Sequence, residues 1–280
     1  MPRSHARRWL AVEAAVAAVG TTAATMPMSW AASPPAVLID TATHKESGFS
    51  DGSMGPFRMC TTQKPNYGQV GTVNNNKAME FVWTAAGYDG TRMDRGAEAC
   101  SDLEIRKQGW YGFKFLLPDQ EFPRDKDTII GQIFNLGGCK SWAATLLVRN
   151  NELWFEHRAG CATPTSIRLD ADIRRDRWLP ITIHFTVSKA KAGQMEIWYK
   201  DAPRLEPTYR VTGISFASWG VYTGDEMANL PDNYIGLKFG MYCADAANYT
   251  PNETRKIWFD NVSQLDGNPA NAFDLVNPIA

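Results

Sequence analysis

Tyr234-Ile-Gly-Leu-Lys-Phe-Gly-Met-Tyr242 is the stretch that decides the fold class. Every second residue is apolar: Ile235, Leu237, Phe239 and Met241. Between them stand Tyr234, Gly236, Lys238, Gly240 and Tyr242. A period of two puts alternate side chains on opposite faces of a strand, so one face packs on a core and the other meets solvent. Two phenols and one ammonium spaced by glycines make a flat polar surface that either receives a ligand or is simply the wet side of a sheet.

Working outward, similar runs recur between short clusters of Gly, Pro, Asn and Asp. The spacing predicts strands over 78–83, 110–117, 128–134, 144–149, 152–157, 179–187, 194–199 and 256–262, beside 234–242. Helical periodicity is nearly absent, with one possible turn of helix over 225–229, and 203–232 reads as long loops at the edge of a cleft. No repeat or low-complexity linker interrupts the chain. Many short strands with frequent turn signals predict an all-β, antiparallel β-sandwich. In Thr128-Ile-Ile-Gly-Gln-Ile-Phe134, parity groups Ile129 with Ile133 and sets Ile130, Gln132 and Phe134 on the opposite face. A glutamine amid apolar residues must find hydrogen-bond partners in the backbone or face a wet cleft.

The N-terminus reads as an export signal over residues 1–32. Arg3, Arg7 and Arg8 precede an apolar run over 9–24, and small residues follow around Ala31 and Ala32. The run is too short and interrupted for a membrane anchor. Removal leaves 248 residues, a length that sandwiches use as one domain, 33–280. The whole chain has net charge −1, and losing three Arg and one Glu brings it near −3. That balance argues against a nucleic-acid partner, and no later segment suits a membrane. Five cysteines in an exported chain predict two disulfides and one leftover thiol. Cys139 with Cys161, flanking a hairpin at Asn150-Asn151, is the first expected pair and Cys60 with Cys100 the second. No cysteine or histidine grouping has zinc spacing.

Arg92-Met-Asp-Arg95-Gly-Ala-Glu98, Trp110 to Pro118, Ile130-Gly-Gln132-Ile-Phe134, Leu237-Lys238-Phe-Gly-Met-Tyr242 and Ile257 to Val262 occur in an order that resembles the polysaccharide lyases of β-jelly-roll fold. The likeness is to the glucuronan lyase and heparin-lyase-like group (family 20 and its relatives), and more distantly to jelly-roll alginate lyases. It spans about 92–262. The resemblance implies a concanavalin-like β-jelly roll with a concave substrate-binding face. It also implies cleavage of a uronic-acid-containing polysaccharide, glucuronan first, by β-elimination in an extracellular monomer. Residue by residue, it gives Gln132 the role of binding the substrate carboxylate, Tyr242 that of catalytic tyrosine, and Lys238 that of lining the cleft. Arg95 matches the arginine of the first motif, with Glu98 beside it; Arg92, or Glu104 with Arg106, fits that place too. Tyr234 joins the substrate-binding set by strand parity. The related alginate enzymes carry a histidine where this chain has Phe134.

β-Elimination removes the C5 proton of a uronate and expels the C4 oxygen. A carboxylate beside C5 makes that proton poorly acidic, so hydrogen-bond donors or cations must stabilise the charge that develops. Gln132 and an arginine supply donors, and Tyr242 supplies a group able to take or give the proton. No cofactor is required. His184 lies opposite Ile181, Ile183 and Phe185; it either bonds to neighbours on a sheet face or replaces the missing histidine in the cleft. His157 reads as a hairpin residue. Asp260 and Asn261, with Asp40 or Asp51, form a candidate structural calcium site, against the simpler reading of a strand-end turn. Sequons stand at Asn248, Asn252 and Asn261. Two rivals remain. A glycoside hydrolase would need paired carboxylates across one cleft, with Glu156 and Glu196 as candidates. A lectin-like module would use the ten Trp and nine Tyr for stacking alone.

Overall fold

The β-rich middle of the chain fixes the architecture. A computed structural model describes residues 43–279 apart from 63–64, 89, 91–94, 137–140, 218–233 and 245–248. The expected export segment, the helical turn over 225–229, Asp40, Arg92, Cys139 and the sequon at Asn248 lie outside the described residues. Residues 40–280 cluster as one compact unit. Among the described residues no helix is long and apolar enough to cross a membrane.

The strands are β1 (Thr43–Ser47), β2 (Arg58–Thr61), β3 (Tyr67–Val73), β4 (Asn76–Thr84), β5 (Gly96–Cys100), β6 (Gln108–Leu116), β7 (Thr128–Asn135) and β8 (Trp142–Arg149). They continue with β9 (Glu152–His157), β10 (Thr165–Asp170), β11 (Leu179–Thr186), β12 (Ser188–Tyr199), β13 (Tyr209–Phe216), β14 (Ile235–Tyr242) and β15 (Thr254–Asp266), before a short helix α1 (Ala272–Val276). One sheet runs β13-β12-β11-β6-β15-β4-β3, with β1 also on β15; the other runs β10-β9-β8-β7-β14-β5-β2. All pairings are antiparallel. The expected all-β sandwich is therefore the observed fold.

Facing side chains from both sheets build the core. Phe239 of β14 meets Phe81 of β4 at 5.6 Å and Phe259 of β15 at 5.5 Å, and Phe113 of β6 meets Phe259 at 5.2 Å. Edge-to-face and tilted pairs at this separation add to the burial of their area. Tyr111 of β6 crosses the core, and its hydroxyl donates to the Lys238 carbonyl oxygen at 2.7 Å. That bond ties the eight-stranded sheet to the strand of the opening motif; burial pushes the phenol well above its ordinary range, so it stays a donor.

The parity read for β14 holds: Ile235, Leu237, Phe239 and Met241 are all buried in the core. Its glycines behave differently from the expected flat surface. A Cβ on Gly236 would sit 2.9 Å from the Leu136 side chain, so that side chain covers the position. Gly240 has φ +128, and a Cβ there would overlap the Ala97 carbonyl oxygen. Glycine is required at that point because the ladder slips between Phe239 and Tyr242.

Two readings are corrected. In β7 a register shift between Ile129 and Gly131 reverses the expected parity, so Ile130 and Ile133 enter the core while Ile129 joins Gln132 on the outer face. A one-residue irregularity exchanges the two faces of a strand. Within 203–232, residues 209–216 form β13 on the edge of the other sheet rather than cleft loops.

Candidate active site

Three strands distant in sequence lie side by side in the order β7-β14-β5. Lys238 stands opposite Gln132 on one side and Cys100 on the other, and Tyr242 stands opposite Gly96. Their outward side chains, with Arg95 just before β5, line a depression of about 580 Å³ on the outer face of the seven-stranded sheet. Arg95, Glu98, Gln132, Lys238 and Tyr242, expected from the sequence, all line it, together with Thr61, Ser141 and Trp142.

Glu98, 3% exposed, organises the centre. One carboxylate oxygen accepts a hydrogen bond from the Gln132 side-chain amide, and the other takes the Lys238 ammonium at 3.4 Å. Two donors on one carboxylate fix the orientation of both. Gln132 keeps its second amide hydrogen and its carbonyl oxygen for other partners. Lys238 lies 4.5 Å from the centre of the Phe134 ring, so the aromatic residue that replaces the expected histidine seats the ammonium through its π face. The Arg95 guanidinium hydrogen-bonds Tyr88 and the Tyr242 phenol, and these contacts, the Tyr88 bond foremost, raise its pKa above the usual arginine value.

A row of side chains continues across the sheet by register: Cys100, Lys238, Gln132, Thr145, Glu156 and Ser166, one from each strand between β5 and β10. The Thr145 hydroxyl, beside Gln132, is buried without a hydrogen-bond partner. The alternation of Thr145 with apolar Ala144 and Leu146 is the signal that could have found it. Trp142, Thr61 and Tyr88 carried no motif; Thr61 comes through the β2–β5 pairing, Trp142 from the start of β8, and Tyr88 from the short turn after β4.

Other expected residues sit elsewhere. Tyr234 is eight residues from Tyr242, about 26 Å in an extended strand, and packs under the Arg106 guanidinium at 5.1 Å. These two meet each other but do not line the depression. His184 is a correction: it lies on β11 in the other sheet, buried, stacked on Trp110 at 4.1 Å and bonded to Glu196 at 2.9 Å and Gln108 at 2.7 Å. Desolvation lowers its pKa, against the opposing pull of Glu196. The Glu156–Glu196 pair of the hydrolase reading also fails, because β9 and β12 belong to different sheets. Glu196 is engaged with His184 and with Arg210 at 2.7 Å.

The calcium candidates form an incomplete set. Asp260 has one oxygen on the Lys114 ammonium at 3.0 Å and the other on the Asn261 N–H at 2.8 Å. Asp51 is exposed and bonded to Ser53. Among the described residues no group of three or more His, Cys, Asp and Glu can hold a metal.

Cys60 and Cys100 are free thiols hydrogen-bonded to each other across the β2–β5 pair, where a disulfide was expected. The bond to Cys100, followed by burial, pushes the Cys60 thiol up. Cys161 is disulfide-bonded.

A search of curated protein sequences finds no match. Among solved structures, the endo-β-1,4-glucuronan lyase from the fungus Trichoderma reesei superposes with TM-score 0.59 at 17% identity, covering 84% of this chain and 98% of that one. A cellulose-induced protein, Cip1, superposes with TM-score 0.52 at 10% identity, covering 78% and 95%. The marine PL-14 alginate lyase from Aplysia kurodai gives 0.51 at 11%, covering 73% and 91%. At these identities the likeness is one of fold. The family model described as polysaccharide lyase matches residues 61–263, which contain every residue lining the depression except Cys60, and the chain therefore belongs to the polysaccharide lyases.

Proposed function

We propose that the chain is exported and, as a monomer, cleaves a uronic-acid-containing polysaccharide by β-elimination on the outer face of its seven-stranded sheet, with glucuronan as the first substrate. The observation that carries this reading is the convergence of Tyr242, Arg95, Gln132 and Lys238 on one depression. The polymer lies along the cross-strand row. Six inter-strand spacings give that sheet a width of about 29 Å, room for several sugars. Glucuronan is favoured because the protein of that activity from Trichoderma reesei shares the fold over most of both chains.

In this mechanism the uronate carboxylate accepts from the free Gln132 amide hydrogen and from Lys238. Both donors are already held by Glu98 and need no reorganisation as negative charge develops, and one such donor is worth ~10²–10³ in rate. The Tyr242 phenolate oxygen takes the C5 proton. The C5–H electron pair becomes the C4=C5 double bond, the C4–O bond breaks, and the phenol returns its proton to the leaving oxygen. Arg95 stabilises the charge carried on that phenol oxygen through the reaction. The step needs no metal or cofactor.

The test is a panel of polyuronates assayed for the absorbance of the unsaturated product. Glucuronan is expected to give it, and Tyr242→Phe is expected to abolish turnover while polymer binding persists in affinity electrophoresis. Reducing ends without the unsaturated chromophore, or full turnover by Tyr242→Phe, would sink the proposal.

A further inference from the structure

The depression crosses the strands β8-β7-β14-β5-β2. The residues assigned to the chemistry come from β7, β14 and β5, with Arg95 just before β5. Ser141 and Trp142 stand at the β8 end, and neither has a part in that chemistry.

Trp142 reaches the outer face through an irregularity. Ala144 is buried in the core, and strict alternation would send Trp142, two residues earlier, the same way. Instead the ladder pairs Ile133 with Ala144 and Phe134 with Trp142, which leaves Ala143 as an extra residue on β8. Ala143 and Ala144 both enter the core, and the indole turns outward to line the depression. Bulges of this kind re-aim side chains next to active sites.

One guanidinium holds this end of the depression. Arg158, just after β9, lies over the Trp142 ring, its central carbon 3.6 Å from the ring centre. Its Nε donates to the Trp142 carbonyl oxygen at 2.9 Å, and its Nη2 donates to Ser141 Oγ at 2.7 Å. Both acceptors are neutral. Burial lowers the Arg158 pKa, against the opposing pull of Glu156. A cation drawn partly out of water to grip neutral groups fixes their positions rather than neutralising a charge. With the guanidinium over one face of the indole, the depression meets the ring surface that is left. Ser141 Oγ accepts from Arg158, so its own O–H remains to donate.

We propose that Trp142 and Ser141 form a stacking subsite for the sugar next to the reacting uronate, with Arg158 as their positioning residue. The inference rests on the lyase reading for the place of the reacting ring. Phe134 is two residues from Gln132 along β7, and Trp142 is one strand further, so the backbones of Gln132 and Trp142 lie about 8 Å apart. A ring whose carboxylate sits on Gln132 therefore has its neighbour beside the indole. The indole takes the C–H face of that pyranose, and Ser141 donates to one of its hydroxyls. Stacking asks for no charge on the sugar, so this subsite takes a neutral or a uronic ring alike, and the carboxylate is demanded at the reacting position.

Trp142→Ala, Trp142→Phe and Arg158→Lys are compared with wild type in initial rates on glucuronan and in retardation by gels containing it. Trp142→Ala is expected to raise KM about tenfold with kcat within about threefold, and Trp142→Phe to recover most of that loss. Arg158→Lys keeps the charge but loses the planar stack and the fork, so KM should rise about threefold. Because the contact with the sugar is apolar, both differences persist at high ionic strength. A folded Trp142→Ala with KM within about twofold of wild type overturns the subsite and leaves the lyase reading intact. Differences that vanish in high salt also overturn it. Should Trp142→Ala fail to fold, Arg158→Lys decides, and an unchanged KM there overturns the proposal. Should wild type give no unsaturated product from glucuronan, the lyase reading fails on that substrate and retardation decides the subsite. Weaker retardation of the variants then supports it; equal retardation, or none of the wild type, overturns it.

Discussion

Replacing Glu98 by Gln separates the geometry of the site from its charge. Both neighbours of the Glu98 carboxylate are donors, the Gln132 amide and the Lys238 ammonium. A glutamine at 98 offers one acceptor and one donor in the same volume, so one of those two partners must turn away. Breaking a fully buried ion pair costs about 3–5 kcal/mol. The Lys238 side chain is 16% exposed, so water recovers part of its solvation, and a loss of about 2 kcal/mol is expected. For a domain of this size that lowers Tm by about 4–8 °C. The catalytic effect is larger in kcat than in KM, because Gln132 and Lys238 lose the orientation that counts as charge develops. A fall of about 10–10² in kcat corresponds to ~1.4–2.7 kcal/mol of transition-state stabilisation. Differential scanning fluorimetry and initial rates of unsaturated-product formation measure both. A Glu98→Gln variant with unchanged Tm and unchanged kcat would refute the claim that this carboxylate holds the two donors.

Gln132→Ala is expected to lower kcat by about 10²-fold while the protein stays folded; unfolding would assign the amide a structural role instead. Arg255 is fully buried and pairs with Glu253 at 2.7 Å, so Arg255→Met should destabilise by about 3–5 kcal/mol. The double variant with Glu253→Gln should recover part of that in chemical denaturation, and strict additivity would argue against the pairing. Burial lowers the His157 pKa from its ordinary 6.5, so the unfolded chain binds that proton first as pH falls. Stability contributed by the neutral ring is present above about 6.5 and is lost as pH drops through the lower folded value. His157→Asn should therefore show a smaller Tm loss between about pH 7 and pH 5 than wild type does; equal losses would count against it.

Local patterning exposed much of the fold. β9 runs from Glu152 to His157 as expected, and the core face of β14 was readable from its apolar alternation. β5 was not, since Gly-Ala-Glu-Ala-Cys holds few strand-forming residues and is held extended by β14 and β2 on its flanks. β7 misled because its register shift is invisible in composition. His184 shows a different limit. Its orientation away from the core was read correctly, but parity names a face and not a sheet, so the residue fell on the side without the depression. The Gln132–Tyr242 convergence was legible through resemblance, and the Glu98 bridge between Gln132 and Lys238 required the order β7-β14-β5.

The cross-strand row has an evolutionary corollary. Each strand from β5 to β10 contributes a single rung, and adjacent rungs belong to segments with separate positions in the gene. On the proposed reading, a point mutation at one rung retunes the contacts offered to one part of the polymer, except where rungs are bonded together, as Lys238 and Gln132 are through Glu98 and Ser166 is to Glu156. Preference among polymers would then drift stepwise along the row.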